Sequence, residues 1–116
     1  MSKIDWLSEL TRAALPQAVL ALLRVERQHG YAMIEILRKH GFDRIKGGTL
    51  YPLLRRFEEQ GLVDYVWEHD AAGPGRKVFA LTPRGTEELD RSIEIWNSMS
   101  VTLATLRRND GTHDDI

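Results

Sequence analysis

The stretch KGGTLYPLLRRFEEQGLVDYVWEHDAAGPGRKVFAL (Lys46–Leu81) decides the reading of this chain. Its first half has a helical period: Leu50, Leu53, Leu54 and Phe57 fall on one side, and Thr49, Pro52, Arg55, Arg56 and Glu59 largely on the other. Gly61 ends that helix. From Leu62 to His69 the chain alternates in part (Val63, Tyr65, Trp67) and is rich in strand formers. Asp70 to Gly75 has turn composition, and Arg76 to Leu81 is the returning strand. A helix with a basic outer face is thus followed by a hairpin carrying Arg76 and Lys77 near its tip. That order suits a protein that lays a helix into a DNA groove and grips the flanking backbone with a wing. Gly47 and Gly48 allow the backbone to approach another surface closely. Pro52 implies that the regular helix begins one to three residues earlier, or bends.

Upstream, Ile4 to Ala14 reads as a short amphipathic helix with Trp6, Leu7 and Leu10. Pro16 interrupts the pattern, so the chain either restarts near Leu15 or kinks there. A helix from Pro16 to Gln28 carries Val19, Leu20, Leu22 and Leu23. After Gly30, a helix from Tyr31 to His40 turns Met33, Ile34 and Leu37 inward, with Gly41 as its C-cap. A short connection, Phe42 to Lys46, leads to the reading helix; helix, short turn, helix is the helix-turn-helix pattern.

Downstream, Thr82 caps a last helix with Pro83 at its first position. It runs to about Arg108, roughly 38 Å at 1.5 Å per residue, longer than so small a domain needs. Its apolar residues form two stripes: Leu89, Ile93, Trp96 and Leu103, then Ile95, Met99 and Leu106. One stripe can face its own domain; the other needs a second chain, which implies a twofold dimer.

At 116 residues, 42% hydrophobic and 28% charged, the chain is one folded domain. It divides into an N-terminal helical arm (1–14), a helix-turn-helix core with its wing (15–82), a dimerisation helix (83–108) and a polar tail expected to be disordered (109–116). The fold class is mainly α with a small β-hairpin (α+β). There is no cysteine, no apolar run that spans a bilayer and no secretory signal pattern. No membrane partner is expected, and the cytoplasm follows by default. Net charge is only −1, but Arg44, Lys46, Arg55 and Arg56 lie in a stretch without an acid. Acids gather instead at Glu87, Glu88, Asp90 and Glu94 and in the tail. A local basic patch on a neutral protein favours selective DNA contact, although a solvated helix face has the same composition.

No catalytic set is present. His29, His40, His69 and His113 sit on different elements without metal-pair spacing, and no metal or cofactor is expected. The adjacent acid pairs point apart on their helices, and no phosphate loop or dinucleotide fingerprint occurs. The chain reads as a binder, not an enzyme.

Three segments, GGTLYPLLRRFEEQGLV (Gly47–Val63), GPGRKVFALTPRG (Gly73–Gly85) and HGYAMIEIL (His29–Leu37), together resemble the PadR family of bacterial transcriptional regulators, in its short subgroup. The likeness covers about Leu15 to Met99. It implies a winged helix-turn-helix dimer that represses transcription at a DNA operator, with the helix matching Gly48 to Gln60 in the major groove. It also implies that the wing's Arg-Lys pair grips the backbone and that the C-terminal helix, aided by the N-terminal one, makes the dimer. Some short members bind flat aromatic molecules between the two C-terminal helices on a tryptophan, and Trp96 sits at that place. Two departures stand out. Pro16 falls where relatives continue a helix, and Val78-Phe79 replaces two common tyrosines.

The expected DNA-contacting residues are Lys46, Gly48, Thr49, Tyr51, Arg55, Arg56, Arg76 and Lys77. Thr49 can meet a phosphate or a thymine methyl, and Tyr51 a phosphate, or Tyr51 can belong to the core. Either arginine of the reading helix can pair instead with Glu58 or Glu59. Arg76 and Lys77 have few structural duties on a flexible wing. The expected dimer interface is Trp6, Leu10, Leu89, Ile93, Trp96, Met99, Leu103 and Leu106, and the expected effector site is Trp96, Ile93 and Met99. Trp67, on a strand, reads as core. The alternative function is a protein-interaction module that has kept the winged helix and lost its DNA.

Overall fold

The computed structural model describes residues 3–69 and 73–108. Four helices and three strands follow in the order α1 (Trp6–Val25), β1 (Gln28–His29), α2 (Gly30–Lys39), α3 (Gly47–Glu59), β2 (Val63–Glu68), β3 (Arg76–Leu81) and α4 (Pro83–Arg108). The expected polar tail lies outside the described residues.

One core holds these elements. Its deepest side chains, Val19, Met33, Leu50, Leu54 and Leu89, come from all four helices. They belong to one contiguous cluster that also takes Phe57, Leu62, Val63 and Phe79 from α3, the corner after it and the wing. No polar side chain is buried among the described residues. Burial of apolar area is therefore the main cohesive term, at about 25 cal/mol per Å².

Of the two expectations at Pro16, a restart near Leu15 or a kink, the restart is not seen: α1 runs through Pro16 as one 20-residue helix. Proline at that place costs the N–H bond to the Arg12 carbonyl. Arg12 lies on the exposed side, where water can satisfy the freed oxygen. Leu15, Val19 and Leu23 meanwhile keep α1 pinned to the core. Asp5 caps the helix through the Ser8 amide at 3.1 Å and the Ser8 hydroxyl at 2.8 Å. These bonds hold the Asp5 carboxyl below its usual range, with a smaller pull from Arg44 at 3.6 Å. Ionised Asp5 therefore favours the folded helix at neutral pH, and that help is lost as pH falls through the acid range.

The wing is a three-stranded antiparallel sheet in the order β1-β3-β2, not the two-stranded hairpin expected. The extra strand is only Gln28–His29, pairing Gln28 with Phe79 and His29 with Val78. It anchors the wing to the start of α2. In the hairpin itself Tyr65 faces Phe79 and Trp67 faces Lys77. Thr82 then joins wing to α4. Its hydroxyl donates to the Gly61 carbonyl at 2.7 Å and accepts the Gly85 amide at 2.9 Å. Gly85 packs so closely on the Leu62 carbonyl that a Cβ there would overlap it.

Only the first half of α4 rests on the domain. Leu89 is buried and Ile93 packs on the core, while Leu103 and Leu106 are 53% and 63% exposed. The radius of gyration is 18.2 Å, against about 13 Å for a compact chain of 100 residues. The difference is the overhanging second half of α4.

Arg38 is a structural tie that the sequence did not advertise. Its guanidinium donates twice to the Ile45 carbonyl, at 3.1 and 2.9 Å, and so fixes the turn that launches α3. Arg38→Ala should lower stability by about 1–2 kcal/mol. At fixed protein concentration that appears as a fall in Tm of about 5–10 °C; an unchanged Tm would mean the tie is not made in solution.

Candidate nucleic-acid interface

The reading helix begins five residues before Pro52, earlier than the sequence implied. Lys46 is its N-cap, in extended backbone at φ −137°, and the Lys46 carbonyl accepts the amides of Thr49 and Leu50 at 3.0 Å. Pro52 has no N–H, which leaves the Gly48 carbonyl free, and Gly48 is exposed. Leu50, Leu53, Leu54 and Phe57 are buried. The opposite arc carries Lys46, Gly48, Thr49, Tyr51, Pro52, Arg55 and Arg56, all exposed. By helical geometry Thr49 and Tyr51 bound this arc on opposite sides, with Gly48, Pro52 and Arg55 between them. Thr49 borders a groove against α1 that also includes Asp5, Phe42 and Arg44. Tyr51 borders the wing.

At 44% exposed, Tyr51 is not a core residue, yet its ring and hydroxyl lie directly over Gly30, where any side chain would displace them. That contact ties the reading helix to the start of α2.

The cations differ in freedom. Among the described residues Lys46, Arg55, Arg56 and Arg76 make no ion pair; the acid drawn off by the wing is Glu58, 4.0 Å from Lys77. Lys77 also stands 4.0 Å from the Tyr65 ring centroid, a favourable cation–π distance. Its structural duties are therefore more than the sequence suggested. Arg44 reaches Asp5 only at 3.6 Å and is otherwise solvated.

Trp67 is not core: it is 56% exposed on the wing face that looks toward α3. Val63 at the base of β2 is buried, whereas the later residues of the strand are exposed and a cleft separates Trp67 from Tyr51 of α3. Tyr65 packs edge-on to Trp67 at 6.1 Å, and the tilted His69 ring lies at 6.3 Å. His29 bonds Glu68 at 3.1 Å across the sheet. Sequence periodicity placed Tyr65 and Trp67 on one face correctly; it carried no information on how far the core extends beneath that face.

The expected interface and effector residues separate into two groups. Leu89 and Ile93 pack within their own domain, because the first half of α4 is used to close the core. Trp6, Leu10, Trp96, Met99, Leu103 and Leu106 are exposed. Trp96 and Met99 line a cleft of about 240 Å³ between α4 and the Ala13–Gln17 part of α1, with Ile95, Ser92, Glu88 and Arg91. Ile93 does not reach it. Among the described residues no cluster of metal-ligating side chains exists, and no helix is long and apolar enough to cross a membrane.

Comparison with known proteins agrees with this architecture. The model of the transcriptional regulator PadR-like family matches residues 19–91. A transcriptional regulator of Mycobacterium tuberculosis is 37% identical over 82 residues, covering 70% of this chain and 74% of that protein. A PadR family regulator from Eggerthella lenta superposes with a TM-score of 0.82 at 34% identity, covering 88% of each chain. Bacillus subtilis PadR, solved in complex with operator DNA, shares the fold at a TM-score of 0.63 and 23% identity, over 68% of this chain and 46% of that one. With its winged helix-turn-helix and the family match over most of its length, this chain belongs to the PadR-like family of transcriptional regulators.

Proposed function

We propose that this regulator binds an operator as a homodimer, represses the gene it controls, and is released by a small aromatic effector held near Trp96. The observation that carries the DNA part is the exposed arc of α3. Among the described residues its basic side chains have no acidic partners, and it stands beside a wing whose Arg76 likewise has none there. A neutral protein with net charge −1 has no general affinity for polyanions, so a local cluster of free cations is the feature that needs a ligand. The operator complex of Bacillus subtilis PadR supports the same reading.

The dimer rests on the overhang of α4. Met99, Leu103 and Leu106, together with Trp6 and Leu10 of α1, leave a broad apolar surface without cover, larger in kind than the scattered apolar residues of a monomer. A second copy covers it symmetrically and sets the spacing of the two reading helices at about one turn of DNA. The cleft under Trp96 lies between the two helices that would carry that interface. A flat ring stacked there changes their crossing and therefore the spacing.

The first experiment is a salt series of binding to the DNA upstream of the protein's own gene, against a scrambled duplex. A preference for the native duplex that persists toward physiological salt is expected. No binding to either at low salt would replace the DNA reading with a protein-interaction module. Arg76→Ala should weaken binding to all duplexes alike and reduce the salt slope by about one; an unchanged slope with altered sequence preference would reverse the wing's assigned role. Gly48 has open space around it, so Gly48→Ala should raise stability by about 0.5–1 kcal/mol yet reduce operator affinity, because the added methyl stands where the backbone meets DNA. Gain of stability with unchanged affinity would remove Gly48 from the interface. Trp96→Ala should abolish binding of a planar aromatic dye while the protein stays folded; retained dye binding would make Trp96 purely structural.

A further inference from the structure

A second cleft, of about 220 Å³, lies between the start of α2, the reading helix and the wing, and is lined by His29, Tyr31, Tyr51, Trp67, Arg76 and Lys77. We propose that it seats one sugar–phosphate unit of the DNA backbone, with the indole of Trp67 packed on the deoxyribose and Arg76 on the phosphate. This rests on the DNA reading above and assigns the aromatic half of that interface.

Three observations favour this occupant. The first is continuity: Tyr51 belongs both to the exposed arc of α3 and to the cleft wall, so a strand leaving the reading helix toward the wing crosses the cleft. The second is charge. Glu58 accompanies Lys77 and Glu68 accompanies His29, which leaves Arg76 as the cation of the cleft without an ion pair among the described residues. One net positive group beside two tyrosine hydroxyls suits one phosphodiester. The volume, about seven waters' worth, suits a single sugar–phosphate and not a folded peptide segment.

The third is the indole itself. Trp67 is more than half exposed on its strand, yet it stands between Tyr65, edge-on, and the tilted ring of His69. A rigid aromatic surface loses little side-chain freedom when a partner covers it, so its burial is returned as affinity. The C–H faces of a sugar are the apolar part of a nucleic-acid backbone and match it. Such a contact releases no counterion, so it differs from the arginine contacts in one measurable way: it is insensitive to salt.

The test compares Trp67→Ala and Trp67→Phe with the wild-type dimer, by fluorescence anisotropy of a labelled own-promoter duplex across a salt series. Trp67→Ala should lose about tenfold in affinity with the salt slope unchanged, and Trp67→Phe should recover most of it. A second readout is the change in tryptophan emission at duplex saturation, which should be present in the wild type and largely lost in Trp67→Phe. Wild-type binding together with wild-type affinity in Trp67→Ala, or with the same emission change in Trp67→Phe, overturns the sugar contact and leaves the aromatic strip for a protein partner. A fall in salt slope on removing Trp67 overturns it as well, since the indole would then be arranging cations and not touching sugar. Failure of the wild-type chain to bind any duplex defeats the DNA reading, and this inference with it.

Discussion

The structure hangs on the packing of Leu50 and Leu54 against Met33, Val19 and Leu89. Each helix contributes at least one of these side chains, so none can move without opening a cavity for the others, at about 2–5 kcal/mol per large side chain lost. That shared burial fixes the rotation of α3 about its axis. Because the buried row is fixed, the row carrying Thr49, Pro52, Arg55 and Arg56 has to face water. The reading surface is thus a by-product of core packing. Arg38 and Tyr51 refine it: the first holds the turn before α3, the second holds α3 to Gly30.

The same core explains why α1 is the part that links the two ends of the molecule. Its middle is pinned by Leu15 and Val19. Its C-terminal end reaches α4 through Arg24 and Asp90, 3.0 Å apart. Its N-terminal end reaches the turn before the reading helix through Asp5 and Arg44. Continuity through Pro16 matters here, because a break would have separated these contacts into two bodies. As one continuous helix, α1 touches both α4 and the turn that launches α3.

Much of this was legible in the sequence, and the exceptions have a common cause. The period of Leu50, Leu53, Leu54 and Phe57, the Thr82-Pro83 helix start and the strand alternation are local patterns, and each appears where the sequence placed it. What escaped depends on contacts between distant residues. Gln28–His29 is too short to show strand periodicity and exists only because β3 pairs with it. Trp67 has strand character, but it is exposed because it faces an open cleft between the wing and α3, which only the tertiary arrangement creates. Lys77 looked free until the sheet brought it to Glu58 and Tyr65. Pro16 looked like a boundary because its local cost is real; the tertiary contacts of Leu15 and Val19 outweigh it.

Near-neutral charge constrains how such a surface can hold DNA. A strongly basic protein gains affinity for any duplex by releasing counterions. Among the described residues the cations without ion pairs near the exposed face of α3 are few: Lys46, Arg55, Arg56 and Arg76, with Lys77 beside Glu58 of α3. In the DNA-binding reading proposed above, so small a number would limit non-specific affinity and weaken competition from other sites. It also means that contacts other than charge must carry a larger share of the binding energy. The exposed aromatic residues beside those cations, Tyr51 and Trp67, can supply that share, since their burial is unaffected by salt. A surface with few cations and several rigid aromatics is therefore selective by construction: it gains little from a phosphate alone and more from a backbone whose path matches both the helix and the wing.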